Sequence, residues 1–87
     1  MKQFSSYEEC FAAVTTMIAR LEALGLHGAA DEMRSGYGCL NGLTDGWALF
    51  LEAIERVWER EKAGLSPADR KALKTLRAEV RRIVHRH

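Results

Sequence analysis

Between Thr44 and Lys62 the chain reads TDGWALFLEAIERVWEREK, and its large apolar residues recur at three- and four-residue steps. Trp47, Phe50, Leu51, Ile54, Val57 and Trp58 therefore share one side of a 3.6-residue helix. Both tryptophans fall on that side, which makes them the expected centre of the core. The remainder of the chain is expected to cover this stripe. At 87 residues, 47% of them hydrophobic, the chain has length for one domain, residues 1–87. A domain of this size buries only about 60–65% of the surface its unfolded form exposes, so the core is thin.

Three further helices are legible from their patterns and punctuation. The first is expected over 6–24. Ser5 and Ser6, each followed three residues later by a glutamate, offer two capping boxes, and Tyr7, Cys10, Phe11, Val14, Met17, Ile18, Leu21 and Leu24 alternate at three and four residues. Gly25 stands where a left-handed residue ends a helix, and Leu26 after it is placed to touch Leu21. A shorter helix is expected over 27–35, with Ala29, Ala30 and Met33 facing inward. Residues 36–46 contain four glycines in eleven positions and are expected to form a connection, pinned to the core by Leu40 and Leu43.

Thr44 is the expected N-cap of the central helix, residues 44–62, with Asp45 at the positive end of its dipole. The run Ala63-Gly-Leu-Ser-Pro-Ala-Asp69 then closes one helix and opens another. Gly64 is expected to end the central helix, Ser66 to cap the last, Pro67 to take its first position and Asp69 to complete a capping box. The last helix spans 66–86 and buries Leu73, Leu76, Val80, Ile83 and Val84. So short a connection joins antiparallel neighbours, a C-terminal helical hairpin. The fold expected is all-α: three long helices and one short one, packed as a small orthogonal or up-down bundle.

Charge is unevenly spread. From Ser66 onward there are seven Lys/Arg and two Asp/Glu, a net +5, whereas the first sixty-five residues carry six and ten, a net −4. Arg70, Lys74, Arg77 and Arg81 lie along one line of the last helix, His85 continues it, and Lys71, Arg82 and Arg86 widen the band. Such a band suits phosphate or an acidic protein surface. Alternatively, it pairs within the chain with Glu52, Glu55, Glu59 and Glu61 across the hairpin. The overall charge of +1 favours internal pairing, because nucleic-acid-binding domains are commonly far more basic.

The segment LSPADRKALKTL resembles the opening helix of bacterial helix-turn-helix domains. The likeness covers about a dozen residues, and no turn or recognition helix follows, so sequence-specific DNA binding is not expected. A second likeness spans about half the chain. Ala-Ala-Asp-Glu-Met-Arg-Ser-Gly, a glycine-bearing loop, then Leu-Thr-Asp-Gly-Trp and an apolar helix resembles small, uncharacterised, all-helical bacterial proteins; it implies an all-helical fold and brings no activity.

No catalytic signature is present. The serines each have a use as a cap or turn residue, and none sits in G-x-S-x-G. The glycine-rich loop lacks the preceding strand and following Lys-Ser/Thr of a phosphate-binding loop. Cys10 is expected to be a buried, inert thiol; Cys39 is the more exposed one but has no assigned basic partner. His85 and His87 form an H-x-H tail without further ligands at helical spacing. The expectation is a non-enzyme with no cofactor and no metal site. No run approaches the roughly 18–20 apolar residues of a membrane span, and MKQFSSYEEC lacks the apolar core of a signal peptide. A cytoplasmic location is therefore expected.

What remains is surface. Leu49 lies well round the central helix from the main stripe, with Ala53 beside it. Ala12, Thr16, Ala19 and Ala23 form a face of small residues on the first helix, which would admit a close-packed neighbour, although alanine is also the best helix former for exposed positions. The function expected is a non-catalytic helical module that binds protein, its own copy or another chain, through Leu49, Ala53 and the small-residue face. The alternative is a weak, sequence-independent nucleic-acid or polyanion binder using Arg70, Lys74, Arg77 and Arg81.

Overall fold

A computed structural model describes residues 7–40 and 45–86, all of them in helices or their connections. Helix α1 spans Tyr7–Ala23, α2 His27–Tyr37, α3 Gly46–Glu61 and α4 Pro67–Arg86. The four helices appear where the apolar periodicity places them. None is long and apolar enough to cross a membrane among the described residues. The expected caps from Ser5, Ser6 and Thr44, and the anchor Leu43, lie outside the described residues. Asp45 occupies the N-cap position of α3 and makes no side-chain capping bond there.

Where the described punctuation can be followed atom by atom, one helix end matches the expectation and another differs. Gly25 has φ 79°; its N–H donates to the Glu22 carbonyl at 3.0 Å, and the Leu26 N–H reaches the Leu21 carbonyl at 2.9 Å. That pair of bonds is a Schellman ending, which satisfies carbonyls the helix leaves open. Gly64 does not repeat it, because Gly25 has the only positive φ among the described residues. Instead, α3 closes with right-handed geometry at Lys62, and the Gly64 N–H donates to the Glu61 carbonyl at 2.9 Å. At the start of α4 the Asp69 N–H donates to Ser66 Oγ at 3.2 Å. The Asp69 carboxylate does not turn back to the backbone as in a full capping box. It accepts from the Ser66 hydroxyl at 3.0 Å and from Arg20 Nε at 3.0 and 3.1 Å.

Each helix packs on the next, and α4 returns to α1, so the four form a closed ring. Every seam of that ring is crossed by a carboxylate–arginine pair, and between α2 and α3 Arg60 adds a second contact to Glu32 at 3.4 Å. Glu22 meets Arg34 at 2.8 Å between α1 and α2, and Glu32 meets Arg56 at 2.6 Å between α2 and α3. Glu55 meets Arg81 at 2.6 Å between α3 and α4, and Asp69 meets Arg20 at 3.0 Å between α4 and α1. At α3 and α4 a second contact, Trp58 with Arg77, shows the two helices running in opposite senses, since the residue numbers climb on one as they fall on the other. The C-terminal helices thus form a hairpin.

Inside the ring lie Val14 and Leu21 of α1, Met33 of α2, Phe50, Ile54 and Val57 of α3, and Leu73, Leu76 and Val80 of α4. The tryptophans are not its centre. Trp47 and Trp58 are half-buried and pack against the core from its margin. They sit at one edge of the α3 stripe, and the smaller Ala53 completes the inward side. Leu24, read as the last inward residue of α1, is 43% exposed at the helix end.

Helix α2 runs two residues beyond the expected end, through Gly36 and Tyr37. A Cβ on Gly36 would stand 2.6 Å from the Ala53 Cβ and 3.2 Å from the Phe50 ring. The glycine is there for a close helix approach, not to break the helix. Tyr37 carries its ring onto Phe11 and Phe50, with centroids 5.8 and 6.0 Å apart, while Trp47 stacks on Phe11 at 6.0 Å. These four rings close one end of the bundle, and Leu40 packs there as expected.

Three of the seam carboxylates have pKa values held below their ordinary range: Glu22 by Arg34 and then His27, Glu32 by Arg56, and Asp69 by Arg20. A lowered native pKa means that the unfolded chain binds more protons around pH 4, so each pair stabilises the fold above the unfolded pKa and loses that contribution as pH falls through the native one. The thermal midpoint, followed by far-ultraviolet circular dichroism, is expected to drop steadily between about pH 5 and pH 3, across the ordinary Asp and Glu range. An unchanged midpoint over that interval would show that the seam pairs add nothing.

Candidate protein-binding surface

The structure separates the residues that the sequence grouped as an interface. Leu49 is 44% exposed, whereas Ala53, one turn on, is 1% exposed and is closed off by Gly36 of α2. Ala53 is therefore core and leaves the proposed contact set. Ala12, Thr16, Ala19 and Ala23 are all exposed along the outer side of α1. Leu49 stands on α3, which meets α1 through the Trp47–Phe11 stack; Leu49, two residues on, points to nearly the opposite side of α3 from Trp47, so the leucine and the small-residue face do not join into one patch.

The basic line on α4 is largely engaged. Arg81 pairs with Glu55, Arg77 lies over the Trp58 ring at 5.2 Å, and Arg70 donates to the Leu65 carbonyl at 3.1 Å. Arg82 pairs with Glu79 on its own helix at 2.6 Å. Lys71, Lys74 and His85 have no hydrogen bond or ion pair among the described residues.

Cys10 is buried, and burial followed by the charge of Glu79 pushes its thiol up to about 11, which keeps it protonated and poorly nucleophilic at neutral pH. Cys39 is half-exposed, and its Sγ donates to the Ser35 carbonyl at 3.6 Å. Among the described residues no three His, Cys, Asp or Glu side chains gather as metal ligands would.

The surface that the fold does assemble is the outer side of the α3/α4 hairpin. Leu51, Glu55 and Trp58 form one row on α3, four and three residues apart, and Arg77, Arg81 and Val84 form the facing row on α4. Leu51, Trp58 and Val84 are half-buried against the core and still partly open to water. Outside these rows charge segregates. Helix α3 turns Glu52 and Glu59 outward, with side chains 64% and 70% exposed, and α4 turns out Lys71, Lys74 and His85. A shallow hollow lies over Ala78, bounded by Arg81, Arg82 and His85. Sequence reading found both the acids and the bases. It missed Trp58 as a surface residue, because a tryptophan on an apolar stripe reads as core; the signal available was Arg77 on the facing row of the hairpin. Comparisons with protein-family models, with curated proteins and with solved structures find nothing that matches this chain.

Proposed function

We propose that this protein is a non-catalytic helical module that works by binding protein, and that the α3/α4 face is its contact surface. The observation that carries the reading is Trp58, half-exposed beneath the Arg77 guanidinium, with Leu51 and Val84 two turns further along the same face. A partly exposed tryptophan with an arginine over its ring is the pairing of residue types in which protein interfaces concentrate binding energy. Leu49 and the small face of α1 offer secondary, separate surface. Polyanion binding ranks lower, since three of its four proposed contacts, Arg70, Arg77 and Arg81, already have partners within the fold.

The test is site-specific photo-crosslinking in the native host. A photoreactive residue at Ala78, exposed on the proposed face, is expected to yield a discrete protein adduct, while the same residue at Ser35 on α2 yields none. Absence of any protein adduct from Ala78, or equal labelling from both sites, would sink the reading.

A further inference from the structure

Resting on that reading, we infer that the partner is an acidic protein segment, and that it docks along the first half of α4. Residues 70–78, RKALKTLRA, hold four cations and no acid. Arg70, Lys74 and Arg77 follow one another at four and three residues and so share one side of the helix, with Lys71 a turn before Lys74. Lys71 and Lys74 are exposed and have no hydrogen bond or ion pair among the described residues. Arg70 and Arg77 are held, but by neutral groups: the Leu65 carbonyl at 3.1 Å and the Trp58 ring at 5.2 Å. Those contacts fix the two side chains and cancel neither charge.

The hairpin register sets Trp58 beside Arg77, so the acids of α3 nearest this stretch are Glu59 and Glu61. Both are engaged on their own side, Glu59 by Lys62 at 3.3 Å and Glu61 by Arg60 at 3.4 Å. Asp69, at the start of α4, is held by Arg20 at 3.0 Å. The second half of α4 is different, because Arg81 meets Glu55 and Arg82 meets Glu79, each at 2.6 Å. Uncompensated positive charge is therefore concentrated in two turns, where like charges repel one another until a partner supplies carboxylates.

The extent of the patch selects the occupant. From Arg70 to Arg77 the helix rises about 10 Å, which matches a few carboxylates on a peptide. A longer phosphate chain would extend past the patch over a body whose first sixty-five residues carry a net −4. Trp58, half-exposed under Arg77, adds apolar surface that a peptide's side chains can cover and a phosphate backbone cannot. An acidic segment with apolar residues between its carboxylates satisfies both parts of the face.

The experiment titrates the full chain into a labelled helical peptide that carries glutamates at four- and three-residue spacing with leucines between, read by fluorescence anisotropy. Two further probes are the same peptide with glutamine for every glutamate and a single-stranded oligonucleotide of equal charge. The glutamate peptide is expected to bind about tenfold or more tighter than either, and to lose about tenfold in affinity as salt climbs from about 0.05 to 0.5 M. Lys71→Gln/Lys74→Gln alters two exposed side chains that bond to nothing in the fold; its melting curve is expected to match the native one, and its affinity for the glutamate peptide to fall about tenfold. No binding of the glutamate peptide, equal binding of its glutamine version, a variant that binds like the native chain, or an oligonucleotide that binds as tightly would each overturn the assignment. Failure of the broader reading looks different. A protein adduct at Ala78 whose linked segment is not acidic overturns the acidic partner and leaves the module standing, whereas no protein adduct at all removes both.

Discussion

Phe50→Ala is expected to remove a large share of the protein's stability and bring the fold close to its threshold. The phenylalanine is fully buried on the inward side of α3 and bridges the main core to the aromatic cluster, with Tyr37 at 6.0 Å and Trp47 at 6.4 Å between ring centroids. Truncating a buried phenylalanine costs about 3–5 kcal/mol, the lost transfer energy plus the cavity left behind. A domain of this length has a total stability of roughly 4–13 kcal/mol at ordinary values per residue. The loss is therefore comparable with everything the fold holds in reserve at the low end of that range. Denaturant unfolding followed by tryptophan fluorescence is the measurement, and it should show the midpoint falling sharply with little change in slope. Phe50→Leu keeps an apolar side chain in the same place and is expected to cost about 1–2 kcal/mol. If alanine costs no more than leucine there, Phe50 does not join the two parts of the core.

What was legible in the sequence was local, and what was not depended on a neighbour. The Schellman ending at Gly25 and the Ser66-Pro67 start of α4 are written within half a dozen residues, because the bonds that make them span four or five positions. Cys10, Val14, Met17 and Leu21 were equally readable, since one face of a helix needs only its own periodicity. Ala53 was not. It shares a flank with Leu49, and nothing in α3 alone distinguishes them; Gly36 of α2 covers one and leaves the other open. Trp58 was misplaced for the same reason. Its stripe was right, but burial along a stripe falls off toward the edges, and the edge was revealed only by the α4 row carrying Arg77. The four seam pairs belong to this class as well. Each joins residues at least twelve positions apart, so helix-surface spacing rules had no purchase on them, although Glu55 was among the acids expected to face the basic helix.

Gly36→Ala is expected to destabilise the protein by about 1–2 kcal/mol, against the trend for glycine in helices. Alanine ordinarily improves a helix interior by up to about 1 kcal/mol, and Gly28→Ala should show that gain, because a Cβ at Gly28 meets nothing within 4 Å. At Gly36 the added methyl would sit 2.6 Å from the Ala53 Cβ and 3.2 Å from the Phe50 ring. Carbon atoms settle at about 3.5–4.0 Å, so α2 and α3 must part by roughly 1 Å or the Phe50 side chain must turn. Overpacking of this kind costs about 1–3 kcal/mol and outweighs the propensity gain. Because both colliding carbons are Cβ atoms, neither can rotate away. The clash should therefore be relieved by taking the methyl from the other side. Gly36→Ala with Ala53→Gly moves the small residue across the interface, and a double-mutant cycle on the two changes is expected to show a favourable coupling of about 1–2 kcal/mol. Additive behaviour, or a Gly36→Ala variant as stable as Gly28→Ala, would mean that the two helices do not approach this closely. The same contact buries Ala53 and turns Leu49 outward, so the cycle also tests why one of two neighbouring residues belongs to the core and the other to the surface.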